Sequence, residues 1–137
     1  MEKYHLPEDI RAMYITASSF PDGVLAAHQK LHSLVPLSES PHRKYFGISF
    51  PIDGTIIYKA GAEELTAGEA DKLGLEIYLI KKGEYTSVDI HNYMQNLSAI
   101  SETFNELLEN PRIDPNGACI EWYISDKDVK CMVRLAD

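Results

Sequence analysis

Basic residues are scarce in this chain. Thirteen Lys and Arg stand against 21 Asp and Glu, giving a net charge of −8 and a pI near 5.0. Binding nucleic acid by phosphate neutralisation needs a basic face, so direct nucleic-acid binding is not expected. Cysteine is scarce too: two in 137 residues exclude a disulfide scaffold. No apolar run approaches the roughly 20 residues of a membrane-spanning helix. The opening segment MEKYHLPEDIRAM lacks the apolar core of a signal peptide. A cytoplasmic protein with no membrane partner is therefore expected. The chain has no P-loop, dinucleotide fingerprint or nucleophile elbow, and neither a cofactor nor a metal is expected. Phenylalanine is sparse at four residues, while tyrosine reaches eight. Tyrosine offers a flat apolar body with a polar tip, which suits a ligand surface.

What is present is a duplication of pattern rather than identity. Val24, Ala27, Leu31, Leu34 and Val35 form one apolar helix face. Adding 73 to each number gives Leu97, Ile100, Phe104, Leu107 and Leu108, a second such face. KYFGISFPIDGTIIYK (44–59) and ACIEWYISDKDVKCMV (118–133) follow them, each reading as strand, turn, strand. The spacing is too long and the copies too few for a solenoid. The organisation expected is one domain over 1–137: repeat one at about 11–60, a linker at 61–74, and repeat two at about 75–135.

Each repeat reads β-α-β-β. Residues 11–20 alternate as a strand, and a helix follows Pro21 and Asp22, with Ser19 or Asp22 as its cap. It stops before Pro36, and the polar loop PLSESPHR leads to a hairpin at 44–60 with its turn at 51–54. In the second repeat 75–90 is long for one strand, with Gly83 as a bulge or bend. A helix at 92–109 ends at Asn110-Pro111, and the last hairpin covers 118–135. The order predicts an α+β fold: tandem β-α-β-β repeats forming one antiparallel curved sheet with two helices on one face. A seam between two copies is a natural place for a pocket.

Alternation assigns the side chains to faces. A turn from Ser125 to Asp128 pairs Trp122 with Cys131 and places Ala118, Ile120, Trp122, Ile124, Val129, Cys131 and Val133 under the helices. Cys119, Glu121, Tyr123, Lys130, Met132 and Arg134 then share the other face, and the two cysteines are separated. In the first hairpin Phe46, Ile48, Phe50 and Ile57 point to the helices. Tyr45, Gly47, Ser49, Ile56 and Tyr58 join the Glu121 face, with Gly47 aligned to Glu121 by the repeat.

This pattern resembles the GyrI-like family, the effector-binding domains of AraC- and MerR-type transcription regulators. The resemblance spans about 11–135 and rests on element order and spacing. It implies a groove between the copies that takes small amphipathic, often cationic molecules. It also implies an aromatic lining and a glutamate on a strand of the second copy. That glutamate matches Glu121 in IEWYI, and the lining would be Tyr45, Tyr58, Tyr78 or Tyr85, and Tyr123. Met132 and Gly47 complete the expected site on the face opposite the helices. No helix-turn-helix segment is seen, which implies a stand-alone domain that sequesters a ligand or serves a separate regulator. Two other readings stay open: a small hydrolase of the same fold acting on electrophiles through Glu121 and a tyrosine, and an interaction module or homodimer using the tyrosine face.

Several side chains carry a second meaning. Lys130 and Arg134 neighbour Glu121 diagonally and could hold it in a surface ion pair. His28 and His32 have the i, i+4 spacing of a metal pair, but Gln29 stands where the metalloprotease motif needs Glu and no third ligand is evident. They read as surface histidines flanking an apolar face. Cys119, with Arg134 as its expected cross-strand partner, is a candidate thiol nucleophile set against a plain small residue.

Overall fold

The computed structural model describes residues 2–36, 42–52 and 54–137. The chain folds as an antiparallel eight-stranded sheet with helices, an α+β protein. Strands β1 (Glu2–Leu6) and β2 (Ile10–Thr16) lead to helix α1 (Val24–Leu34). The hairpin β3 (Tyr45–Ile52) and β4 (Thr55–Glu63) follows, then the short helix α2 (Glu69–Leu73). The second half holds β5 (Glu76–Ile80), β6 (Gly83–His91), a 3-10 turn (Tyr93–Gln95), helix α3 (Ser98–Leu107), β7 (Cys119–Tyr123) and β8 (Asp128–Arg134). Residues 37–41 of the expected proline-containing loop, and Asp53 of the first turn, lie outside the described residues. Among the described residues no helix is long and apolar enough to cross a membrane.

The sheet order β1-β6-β8-β7-β3-β4-β2-β5 is symmetric about the β7–β3 pair. Each half keeps its own α-β-β segment but receives its outermost strand from the other half. β1 pairs with β6, and β5 pairs with β2. The long 75–90 segment is two strands broken at Lys81-Lys82, and Gly83 restarts the second with φ 132°, a conformation only glycine adopts freely. β1 lies before the first strand expected from sequence, which begins at residue 11.

Helices α1 and α3 lie on one face of the sheet. Ala27, Leu31 and Val35 pack on Met13, Ala60 and Ala62, and Phe104 and Leu107 pack on Val129, Cys131 and Val133. Neither Ser19 nor Asp22 caps α1, which begins at Gly23 without a side-chain cap.

The other face is a second core. Leu6 of β1 and Ile80 of β5 belong to the same cluster as Phe46, Ile48, Ile120 and Met132 of the central strands. These two edges are seven strand spacings apart in the sheet order, roughly 34 Å in a flat sheet, so the sheet must curl until its edges approach. A backbone-to-side-chain bond from Lys82 N–H to Asp9 Oδ1, 2.7 Å, ties the β5–β6 corner to the β1–β2 corner.

This second core corrects the expected faces. The last loop is one residue longer than expected: Tyr123 pairs with Val129 and Trp122 with Lys130. An odd shift moves every side chain of one strand to the opposite face. Ile120 and Trp122 therefore face the curled interior, while Cys119, Glu121 and Tyr123 share the helix face with Val129, Cys131 and Val133. Cys119 and Cys131 thus lie on one face, both as free thiols. In the first hairpin the expected groups stay together but swap sides. Phe46, Ile48 and Phe50 enter the curled core, and Tyr45 and Tyr58 turn to the helices.

Candidate functional site

The seam strands β3 and β7 run between the parts of the sheet that α1 and α3 cover. Their register sets Tyr45 opposite Tyr123, Gly47 opposite Glu121 and Ser49 opposite Cys119. The β3–β4 register adds Tyr58 opposite Ser49 on the same face. The sequence grouping of Tyr45, Gly47, Tyr58, Glu121 and Tyr123 is therefore brought together, but on the helix side. Met132, Tyr78 and Tyr85 are not part of it. They belong to the curled core on the opposite face, where the Tyr85 hydroxyl donates to Lys81 O at 2.6 Å and Tyr78 stacks on Phe50.

At the floor of the seam Glu121 is 8% exposed. The Tyr123 hydroxyl donates to Glu121 Oε1 at 2.5 Å. The Tyr58 and Tyr123 hydroxyls are 3.1 Å apart, and Tyr58 Oη lies 2.8 Å from His28 Nε2 on α1. A continuous chain of four side chains thus links α1 to the buried carboxylate. Rings close the site: His28 sets its edge against Tyr58 and Tyr123, Tyr93 leans on Tyr123, and Phe20 stacks on Tyr58 at 5.9 Å. Phe20 is 43% exposed and forms the outer rim.

Gly47 makes this arrangement possible. A Cβ at position 47 would sit 2.1 Å from Tyr58 Oη and 3.1 Å from Glu121 Cδ. Gly47→Ala must therefore displace the Tyr58 phenol from the chain. The expected cost in a denaturant melt is about 1–3 kcal/mol, as for other overpacked interiors. A change within 0.5 kcal/mol, a threshold of roughly the size of ordinary surface effects, would show that the phenol has room to move.

The electrostatics follow from burial. Burial raises the pKa of Glu121, and the phenols of Tyr123 and Tyr58 only partly offset this. His28 is pushed down to about 4 by burial and by neighbouring His32, so it is neutral over the physiological range. Burial raises the Tyr58 and Tyr123 phenols, with Glu121 adding to the effect.

The alternative of a surface ion pair does not form among the described residues. Lys130 and Arg134 lie on the other face, where Lys130 Nζ meets Asp89 at 2.8 Å and Arg134 meets Asp114 at 3.2 Å. Among the described residues Glu121 has no salt bridge. Cys119 faces Val133 rather than Arg134, and burial pushes its thiol up to about 11. That opposes a nucleophilic role, since the thiolate is the reactive form. The two histidines have separate protein partners. His28 bonds Tyr58 and His32 packs on the Tyr45 ring at 4.5 Å, and no group of three metal-ligating side chains occurs among the described residues. Tyr45 and Tyr58 are buried, so they do not form an exposed tyrosine surface.

Three members of the site, His28, Phe20 and Tyr93, were not expected. The signal for His28 was present: it stands four residues after Val24 and three before Leu31, inside the apolar stripe. From sequence Phe20 falls at the end of a strand and Tyr93 at the start of a helix, but β2 ends at Thr16 and α3 begins at Ser98, so the periodicity of neither element orients them.

The sequence matches no protein-family model and no curated protein. Solved structures do match over nearly the whole chain. An integron cassette protein from the mobile metagenome of Vibrio cholerae superposes with a TM-score of 0.70 at 11% identity, covering 98% of this chain and 94% of that one. A hydrolase from Listeria innocua superposes with a TM-score of 0.59 at 11% identity, covering 98% and 90%. At this identity the likeness establishes a shared fold.

Proposed function

We propose that the chain is a small-molecule-binding domain of the GyrI-like type, taking an organic cation with flat apolar surface between α1 and α3. The observation that carries this reading is Glu121: a buried carboxylate without a cationic partner among the described residues, placed at the seam and ringed by Tyr58, Tyr123 and Tyr93. A buried carboxylate is costly unless paired, and a ligand cation supplies the pair. Ring faces add their own attraction for positive charge. Phe20 and Tyr93 at the rim are the groups that a ligand displaces or stacks upon. The domain then serves as an effector or drug sensor for a separate regulator.

Calorimetric titration with a panel of cationic aromatic dyes tests this. Glu121→Gln is expected to keep the fold and weaken binding by roughly 1–3 kcal/mol, the cost of a lost charged hydrogen bond in a dry site. Equal binding by both proteins, or binding by neither, overturns the reading.

The raised pKa of Glu121 beside two phenols favours a second reading, hydrolysis of a small electrophile. A carboxylate with raised pKa is suited to proton transfer near neutral pH, and Tyr58 or Tyr123 can donate to a leaving oxygen. The fold is also that of a protein described as a hydrolase. Turnover of epoxide-type compounds that disappears in Glu121→Gln supports this reading, and no turnover with any of them removes it.

A further inference from the structure

We propose that His28 is the proton port of the Glu121 site: it passes protons between α1 and the buried carboxylate through Tyr58 and Tyr123, and its tautomer reports whether Glu121 is ionised. The inference rests on the reading of Glu121 as the ligand-binding carboxylate and adds how that carboxylate gains and loses its proton.

The argument is one of counting donors. Each phenol has a single O–H, and neutral imidazole has one N–H and one bare nitrogen. The chain His28 Nε2, Tyr58 Oη, Tyr123 Oη and Glu121 Oε1 has three links, of 2.8, 3.1 and 2.5 Å. With Glu121 ionised, every link must donate toward it: Tyr123 to Glu121, Tyr58 to Tyr123, and His28 Nε2–H to Tyr58. With Glu121 protonated on Oε1, the oxygen that meets Tyr123, every link reverses: Glu121 donates to Tyr123, Tyr123 to Tyr58, and Tyr58 to a bare Nε2, leaving the imidazole proton on Nδ1. Mixed patterns leave one link with two protons or none, which is costly in a buried network.

Capture of a cation by protonated Glu121 then has a balanced path. The Glu121 proton moves to Tyr123, the Tyr123 proton to Tyr58 and the Tyr58 proton to Nε2. The Nδ1 proton leaves to solvent, so one proton is released per cation bound. Release of the cation runs the same steps in reverse.

The surroundings permit this. Glu121 is faced by Tyr123 on its own strand, Tyr58 from β4, Tyr93 from the 3-10 turn, Cys119 on β7 and Cys131 from β8. His28 is faced by His32 on its own helix and by Tyr58 and Tyr123 from the sheet. Those phenols and thiols stay protonated through the range in which carboxylates and imidazoles titrate. On acidification Glu121, raised from 4.5, takes its proton before His28, which takes its second proton only at about 4. A window therefore exists in which Glu121 is neutral and His28 is still uncharged.

The test is an acid titration of the full chain with 15N-labelled histidine and 13C-labelled glutamate, followed by NMR without any ligand. His28 should carry its proton on Nε2 above the Glu121 transition and switch to Nδ1 over the same pH interval in which the Glu121 carboxyl titrates. In Tyr58→Phe, whose fold is checked by circular dichroism, Glu121 should still titrate while the His28 tautomer no longer follows it. In Glu121→Gln the tautomer should be independent of pH until the imidazole charges. A tautomer that stays constant through the wild-type Glu121 transition overturns the proposal, as does a switch that persists in Tyr58→Phe or Glu121→Gln. A coupled tautomer in a protein that binds no cationic dye would remove the ligand reading and leave the proton path standing.

Discussion

Phe46→Ala should bring the protein close to its unfolding threshold, at a cost of about 3–5 kcal/mol. Phe46 is 0% exposed at the centre of the curled core, beside Trp122 and packed with residues from both sheet edges. Removing its ring leaves a cavity that the backbone cannot close, because β3 is paired on both sides. A domain of ordinary stability holds only about 5–15 kcal/mol in reserve. Trp122, larger but only partly buried, should cost less when cut to alanine. Urea melts of both variants check the order. A Phe46→Ala cost under about 1 kcal/mol, the size of an average substitution, would mean that the curled core is not a core.

The second large effect is a loss of stability in acid that depends on His28. Its folded-state pKa lies at about 4, against 6.5 for the free side chain. The unfolded chain therefore takes up a proton that the folded chain refuses between these values. Stability from this group is complete above about pH 6.5 and falls as pH drops toward 4, by up to about 3 kcal/mol at 1.36 kcal/mol per pH unit. Glu121 acts with the opposite sign. Its raised pKa makes the folded state take a proton first, so its contribution grows as pH falls toward its unfolded value. Melts of wild type, His28→Gln and Glu121→Gln between pH 4 and 8 separate the two. His28→Gln should flatten the acid limb, and Glu121→Gln should steepen it. An unchanged acid limb in His28→Gln would mean that the imidazole is solvated.

The cluster of Tyr45, Gly47, Tyr58, Glu121 and Tyr123 was legible because alternation and the repeat act within strands. Residues two apart on one strand share a face wherever that strand goes, and the 73-residue offset aligned Gly47 with Glu121 across the seam. Met132 keeps its expected face, opposite the helices, but parts from Glu121 because β7 turned over. One extra loop residue changed which strand faces match, and no residue in SDKD marks that length unambiguously. Tyr78 and Tyr85 also stay opposite the helices, in the curled core, and so part from Glu121 for the same reason. His28 was underestimated because its partner, Tyr58, is 30 residues away on β4.

By itself the sequence determined the α+β class, the hairpins, the five residues that meet at the seam and most of the two helix faces, from which the exposed Leu34, Leu97 and Leu108 depart. Each of these depends on local periodicity and on the spacing between neighbours in the chain. Only the tertiary structure decided which side of the sheet is which. Alternation defines two faces but does not say what covers them, and here both are buried: one by helices, the other by the sheet curling onto its own edges. That closure requires β1 and β5 to exchange between halves and Phe46 and Ile48 to meet Leu6 and Ile80. Such contacts join segments distant in the chain, and their energy comes from burying surface rather than from any local pattern.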